Sequence, residues 1–236
     1  MRIDAAFIFT AFLEIIKALP LTLAISTVPL AFGFAIGLAI ALIRIYKVRG
    51  LHRVAGAYVS VVRGTPLLLH IMIIYFGLPM LFDSLSAQYG WGLKSSSIPL
   101  VTFVLIAFSI NSGAYMSEAI RSGILAVGAG QTEAAYSIGM TGPQAMRRIV
   151  LPQALMAGLP NLLHKFIGLL HGSSLAFTIS LQELNGKAHI VATTNLKFLE
   201  AFIAAAFIYW GLTLLAEWGT ALLEKRLHTY NKGGVA

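Results

Sequence analysis

The sequence predicts an all-α integral membrane protein with five transmembrane helices, its N-terminus outside and its C-terminus cytoplasmic. Three observations carry that prediction. Of the 236 residues, 58% are hydrophobic and 11% charged, with a mean hydropathy of +0.81, whereas a soluble domain carries about 25% charged residues. Five apolar runs reach the roughly 20 residues that a helix needs to cross a hydrocarbon core. The Lys and Arg residues fall unequally between those runs, and that bias sets orientation. The apolar content excludes disorder, and the 22 glycines show no fibrous period. With no cysteine there is no disulfide, thiolate nucleophile or Cys-based metal site.

The first span runs from about Leu19 to Ile43, and no small-residue cleavage site follows a short apolar stretch, so it reads as a retained helix. Its Gly33 and Gly37 form a GxxxG step that admits a close neighbour. The second, about Val54 to Phe82, contains Pro66 and is expected to bend there. The third covers about Ile98 to Ile124, the fourth Leu155 to Leu181 and the fifth Phe198 to Leu223.

Orientation follows from the cations. Arg44, Lys47, Arg49, Arg53, Arg63, Arg121, Arg147, Arg148, Lys165, Lys225, Arg226 and Lys232 make twelve on one side, against Arg2, Lys17, Lys94, Lys187 and Lys197 on the other. The side richer in cations is the cytoplasmic one.

The link from about 130 to 152 is too polar to span. Two short helices and a turn fit it: Glu133 suits the positive end of the first helix, and Gly139 stands where a C-terminal cap needs positive φ. Thr141 and Gln144 have capping-box spacing, Pro143 is tolerated in the first turn, and Pro152 is expected to end or kink the second helix. Ala134 and Ala135 offer a flat patch beside the basic edge of Arg147 and Arg148. Two readings stand side by side: a plug for a partner's groove, or an amphipathic helix lying in the membrane interface on Ile138, Met140, Met146 and Ile149.

Glu133-Ala134-Ala135, Gly139, Ile149 and Leu151-Pro152 resemble, in identity and spacing, the EAA loop of ATP-binding cassette importer permeases. Arg63-Gly64-Thr65-Pro66-Leu67-Leu68 with Ile74-Tyr75-Phe76-Gly77-Leu78-Pro79 is similar to the second span of the polar amino acid branch of that family. Ser112-Gly113-Ala114-Tyr115 with Glu118 and Arg121 is similar to its third, and Ser173-Ser174-Leu175 with Glu183-Leu184 to the end of its fourth. The resemblance runs from about Leu19 to Trp210. It implies one transmembrane permease domain over 1–236, an EAA coupling helix in the cytoplasmic loop, a bacterial inner-membrane location and no catalysis by this chain. It also implies cytoplasmic ATPase subunits that use ATP and Mg, an extracytoplasmic solute-binding protein, and a second permease subunit, the same chain or a homologue. Coupling would fall to Glu133, Ala134, Ala135, Gly139, Arg147, Arg148, Ile149, Leu151 and Pro152. The chain has no Walker A loop that would contradict this division: its Gly186-Lys187 pair lacks the flanking Gly and Ser or Thr.

Polar residues inside spans are functional candidates because burying them in lipid is costly. The substrate-path candidates are His70, Asn111, Ser112, Glu118, His171, Ser173, Ser174 and Thr178. Glu118 and Arg121 are spaced to pair along one helical face or to line the path, and the Ser and His groups to bind solute or to join helices. The six histidines lack clustered carboxylates, which argues against a metal. Relatives in the branch often carry Lys and an acid late in the fourth span; His171-Gly172-Ser173-Ser174 stands here instead. A near-neutral pocket for a zwitterionic or polar amino acid is therefore expected, with the pattern most similar to cystine-type permeases. The rival from another class is an autonomous ion-coupled transporter, which inverted repeats would support; none is evident.

Overall fold

The computed structural model describes residues 3–232, with side chains as far as Leu223 and at Lys225; Arg2, Arg226 and Lys232, counted above, lie outside the described side chains. Among the described residues every regular element is helical, and five stretches are long and apolar enough to cross a membrane: Ala5–Ile45, Leu67–Tyr89, Leu100–Ala126, Gly142–Ile179 and Phe198–Leu223.

The first stretch begins earlier than the sequence suggested. Helix α1 (Ala5–Ile15) meets α2 (Leu19–Ile45) through a 3-10 turn at Ile16–Ala18. Glu14 and Lys17 break the apolar run in sequence, yet in space they pair at 2.6 Å one helical turn apart. Asp4 caps α1, accepting from Phe7 N at 3.0 Å, and its other carboxylate oxygen takes Lys197 Nζ at 2.6 Å.

The expected bend at Pro66 is a break. Helix α3 (Leu51–Gly64) ends, Thr65 and Pro66 are extended, and α4 (Leu67–Tyr89) starts anew. Proline brings no N–H and pushes its predecessor out of helical geometry, so both residues leave the helix. Tyr58 donates to the Ile110 carbonyl at 2.6 Å, placing the break beside the middle of α5 (Leu100–Ala126).

After α5 come α6 (Ala129–Ser137), the single turn α7 (Gly142–Ala145), a π turn at Met146–Val150 and α8 (Leu151–Gly172). Pro152 does not end the helical stretch: it occupies the first turn of α8, and the regular α ladder is interrupted just before it by the π turn. Gln153 Nε2 donates to the Ile149 carbonyl at 3.0 Å, satisfying a group near that turn. A 3-10 segment (Ser173–Ile179) follows, then α9 (Leu184–Asn195) and α10 (Phe198–Lys232).

Helix α5 is the centre, packed along α2 and against α8, α4 and α3. Small residues set the α2–α5 distance: a Cβ on Gly33 would lie 2.3 Å from Ser112 Cβ, and one on Gly37 2.6 Å from Met116 Cβ. Three apolar clusters result. Ile25, Ile71, Phe103, Phe108 and Leu169 fill the middle, Ala41, Ile120, Ile124 and Ala154 one end of α5, and Ala11, Ile15, Leu184, Ala188 and Ala204 join α1 to α9 and α10.

Candidate functional site

An open cavity of about 590 Å³ lies between the end of α3, α5 and α8. Helical spacing builds it. Tyr115, Glu118 and Ser122 share one stripe of α5, and Asn161, Lys165 and Gly168 share one of α8, with His164 beside them and Arg63 entering from the last turn of α3. Lys165 Nζ stands 4.1 Å from the centre of the Tyr115 ring and the Arg63 guanidinium 5.5 Å from it, so two cations share one aromatic face. Glu118 both lines the cavity and pairs: it accepts from Arg121 at 3.0 Å and from Arg44 at the end of α2.

This cavity is lined by charged residues, and the His171-Gly172-Ser173-Ser174 segment on which the near-neutral pocket was expected is not part of its wall. Lys165, counted from sequence among the cations that set orientation, sits within the helical stretch Gly142–Ile179 and donates to Asn111 Oδ1 at 2.7 Å. Setting aside Arg44, Arg63, Arg121 and Lys165, all committed to this region, the loop cations still number eight against five.

Behind the cavity wall, Asn111 (3% exposed) bonds His70 (9% exposed), whose other ring nitrogen meets Thr65. Ser112 is fully buried against Gly33 on the α2–α5 seam. His171, Ser173, Ser174 and Thr178 form a separate group. His171 meets Thr213 on α10 at 2.8 Å, while Ser173, Ser174 and Thr178 donate to the carbonyls of Leu170, His171 and Leu175. Hydroxyls that turn back on their own helix are satisfied without a ligand. Sequence reasoning left Arg63, Tyr115 and Lys165 off the candidate set, although the matching four- and three-residue steps on α5 and α8 carried the signal.

Glu183, named from sequence only within the Glu183-Leu184 pair and given no role, is fully buried. Its carboxylate accepts from Asn185 N at 3.0 Å, Gly186 N at 2.9 Å and Tyr209 OH at 2.8 Å, capping α9 and fastening it to α10. Burial pushes Glu183 above the usual carboxylate range, opposed by those three donors.

The 129–150 segment has the expected helix, turn and helix. Gly139 adopts φ +81°, Met140 N donates to Ala135 O and Gly139 N to Tyr136 O, the paired bonds of a Schellman cap. Thr141 N donates to Gln144 Oε1 at 2.9 Å in the capping box. Glu133, Ala134, Arg147, Arg148 and Pro152 are exposed, Ile149 and Leu151 half-buried. Ala135 is 4% exposed and packs inward, so it does not contribute to an outward patch with Ala134; Ile138, 74% exposed, does.

Residues 31–229 match the family model described as binding-protein-dependent transport system inner membrane component. The chain belongs to that family. It is 38% identical over 209 residues to the L-cystine transport system permease protein TcyL of Bacillus subtilis, covering 89% of this chain and 85% of the relative. It is 37% identical over 215 residues to a probable amino-acid ABC transporter permease protein, PatM, of Vibrio harveyi, covering 89% and 92%. The structure superposes on the crystal structure of an amino acid ABC transporter with histidines at TM-score 0.82 and 35% identity, covering 96% of this chain and all of that one. The inward-facing MetNI methionine ABC transporter shares the fold at TM-score 0.71 and 17% identity, covering 95% of this chain and 99% of that one. The chain is thus a multi-pass permease subunit of an amino acid ABC importer, not itself an enzyme, and the ATPase is a separate subunit.

Proposed function

We propose that this permease forms its half of the translocation path at the cavity between α3, α5 and α8 and carries a zwitterionic amino acid, with cystine favoured. The observation that carries this reading is that two cations, Lys165 and Arg63, and one carboxylate, Glu118, held by Arg44 and Arg121, line the wall of a single cavity. The cations suit carboxylates, and the negative edge at Glu118 suits an ammonium group. Cystine bears two carboxylates at opposite ends, and the relatives named as L-cystine permeases support the same choice.

In this reading the N-terminus is outside, and α6 with the turn at Gly139 and the following helix couples the path to cytoplasmic ATPase subunits that consume ATP and Mg. A second permease subunit closes the open side of the cavity, and an extracytoplasmic binding protein delivers solute. Uptake into proteoliposomes holding the permease, ATPase and binding protein is the test. ATP-dependent accumulation of labelled L-cystine, competed by unlabelled cystine more strongly than by arginine or glutamate, is expected. Accumulation driven by an ion gradient without the ATPase would overturn the proposal.

A further inference from the structure

We infer that His70 is a positioning residue that links occupancy of Lys165 to the break between α3 and α4. The inference rests on the proposed role of Lys165 as a substrate carboxylate's partner. A lysine ammonium only donates, so the Asn111 atom 2.7 Å from Lys165 Nζ is the carbonyl Oδ1. The amide Nδ2 then faces His70 Nδ1 at 3.2 Å, and Nδ1 accepts. An imidazole that accepts at Nδ1 carries its proton on Nε2, which donates to Thr65 Oγ1 at 2.7 Å. The Thr65 hydroxyl in turn donates to the Val61 carbonyl at 2.8 Å, in the last turn of α3 and just ahead of Pro66.

Every donor in this chain points the same way, from Lys165 to the hinge. The polarity of the chain is fixed at both ends, by Lys165, which cannot accept, and by the Val61 carbonyl, which cannot donate. When a carboxylate draws Lys165 Nζ away, the Asn111 amide loses one of its two anchors and is held only through His70. The placement of the His70 ring and of the Thr65 hydroxyl against Val61 then rests on that one contact. Solute in the cavity is thereby felt at the break of a helix that packs on α5. His70 itself is not on the cavity wall, so it acts through Lys165 and Thr65 and touches no solute.

The test uses the complete transporter in nanodiscs, with L-cystine as probe and ATP hydrolysis and uptake as readouts. His70→Leu breaks the chain at its centre. Its half-saturating cystine concentration should stay within about twofold of wild type while the maximal stimulated rate falls roughly tenfold. His70→Gln keeps one acceptor and one donor and should restore the rate to within about twofold. Thr65→Val removes the last link and should behave like His70→Leu, which keeps the test open should His70→Leu fail to assemble. A wild-type rate in His70→Leu or Thr65→Val, or no rescue by His70→Gln, overturns the inference. Lys165→Met separates the two ideas: a roughly tenfold rise in the half-saturating concentration supports the underlying role of Lys165, and an unchanged value overturns that role whatever His70 does.

Discussion

Replacing Gly33 with alanine should damage the protein through a single methyl group. The added Cβ would stand 2.3 Å from Ser112 Cβ and 3.0 Å from the Ser112 backbone carbon, neither of which is the far end of a flexible chain. Ordinary contact begins near 3.4 Å, so α2 and α5 must part locally by about 1 Å. Overpacking of this kind costs about 1–3 kcal/mol, and for a chain of this size each kcal/mol lowers the melting temperature by about 2–4 °C. The displacement falls on Ser112, next to Asn111, so the cavity wall should move with it. Gly77→Ala, where an added Cβ meets nothing within 4 Å, is the control. Detergent-solubilised variants followed by fluorescence thermal melts, with uptake measured in parallel, give the answer. A Gly33→Ala protein that melts and transports like Gly77→Ala would show that close packing of α2 on α5 does not set the cavity.

Gly139→Val forces a β-branched residue toward φ +81°, at a cost of about 1–2 kcal/mol; membrane expression should stay near normal while ATP-dependent uptake is lost and pull-down of the ATPase weakens. Ala134→Asp should weaken the same pull-down with little change in melting temperature, whereas Ala135→Leu, at a buried position, should lower the melting temperature first. Because burial raises the folded-state pKa of Glu183 above its ordinary value, its favourable contribution is fully present below that ordinary value and is lost as pH rises through the raised one. The melting-temperature difference between wild type and Glu183→Gln should therefore shift in favour of wild type as pH falls from about 8 to about 5. Reporter fusions near Gly142 should read cytoplasmic and those near Ser95 or Lys187 external; internal readout from both of the latter would overturn the proposed orientation.

What the sequence disclosed was local. Apolar runs reveal spans because the bilayer imposes their length, and Gly139 reveals its turn because a cap needs its φ within a few residues of the helix end. The GxxxG step at Gly33 and Gly37 announced a close neighbour without saying that α5 would be it. Charge misled where its meaning depends on a partner. Lys165 counts toward orientation, though it falls inside the fourth apolar run, until Asn111, 54 residues earlier, is seen to accept from it. Glu14 and Lys17 look like a boundary until their pairing lets α1 continue the apolar stretch. Ala134 and Ala135 are neighbours in a motif, yet helical rotation sends one outward and one inward, and only the packing of the second helix decides which.

The position of α1 bears on the order in which the chain can be completed. Asp4 holds Lys197 across a sequence separation of 193 residues, and Ala11 and Ile15 bury against residues of α9 and α10. At a synthesis rate of about 5–20 residues per second, the first helix made waits roughly 10–40 s for its partners to emerge. Through that interval its packing face has only the bilayer or the insertion machinery to cover it. Nascent chains arrested before Leu184 should accordingly carry an unanchored α1, open to a protease that the finished protein excludes, and the last two helices synthesised are the ones that secure the first.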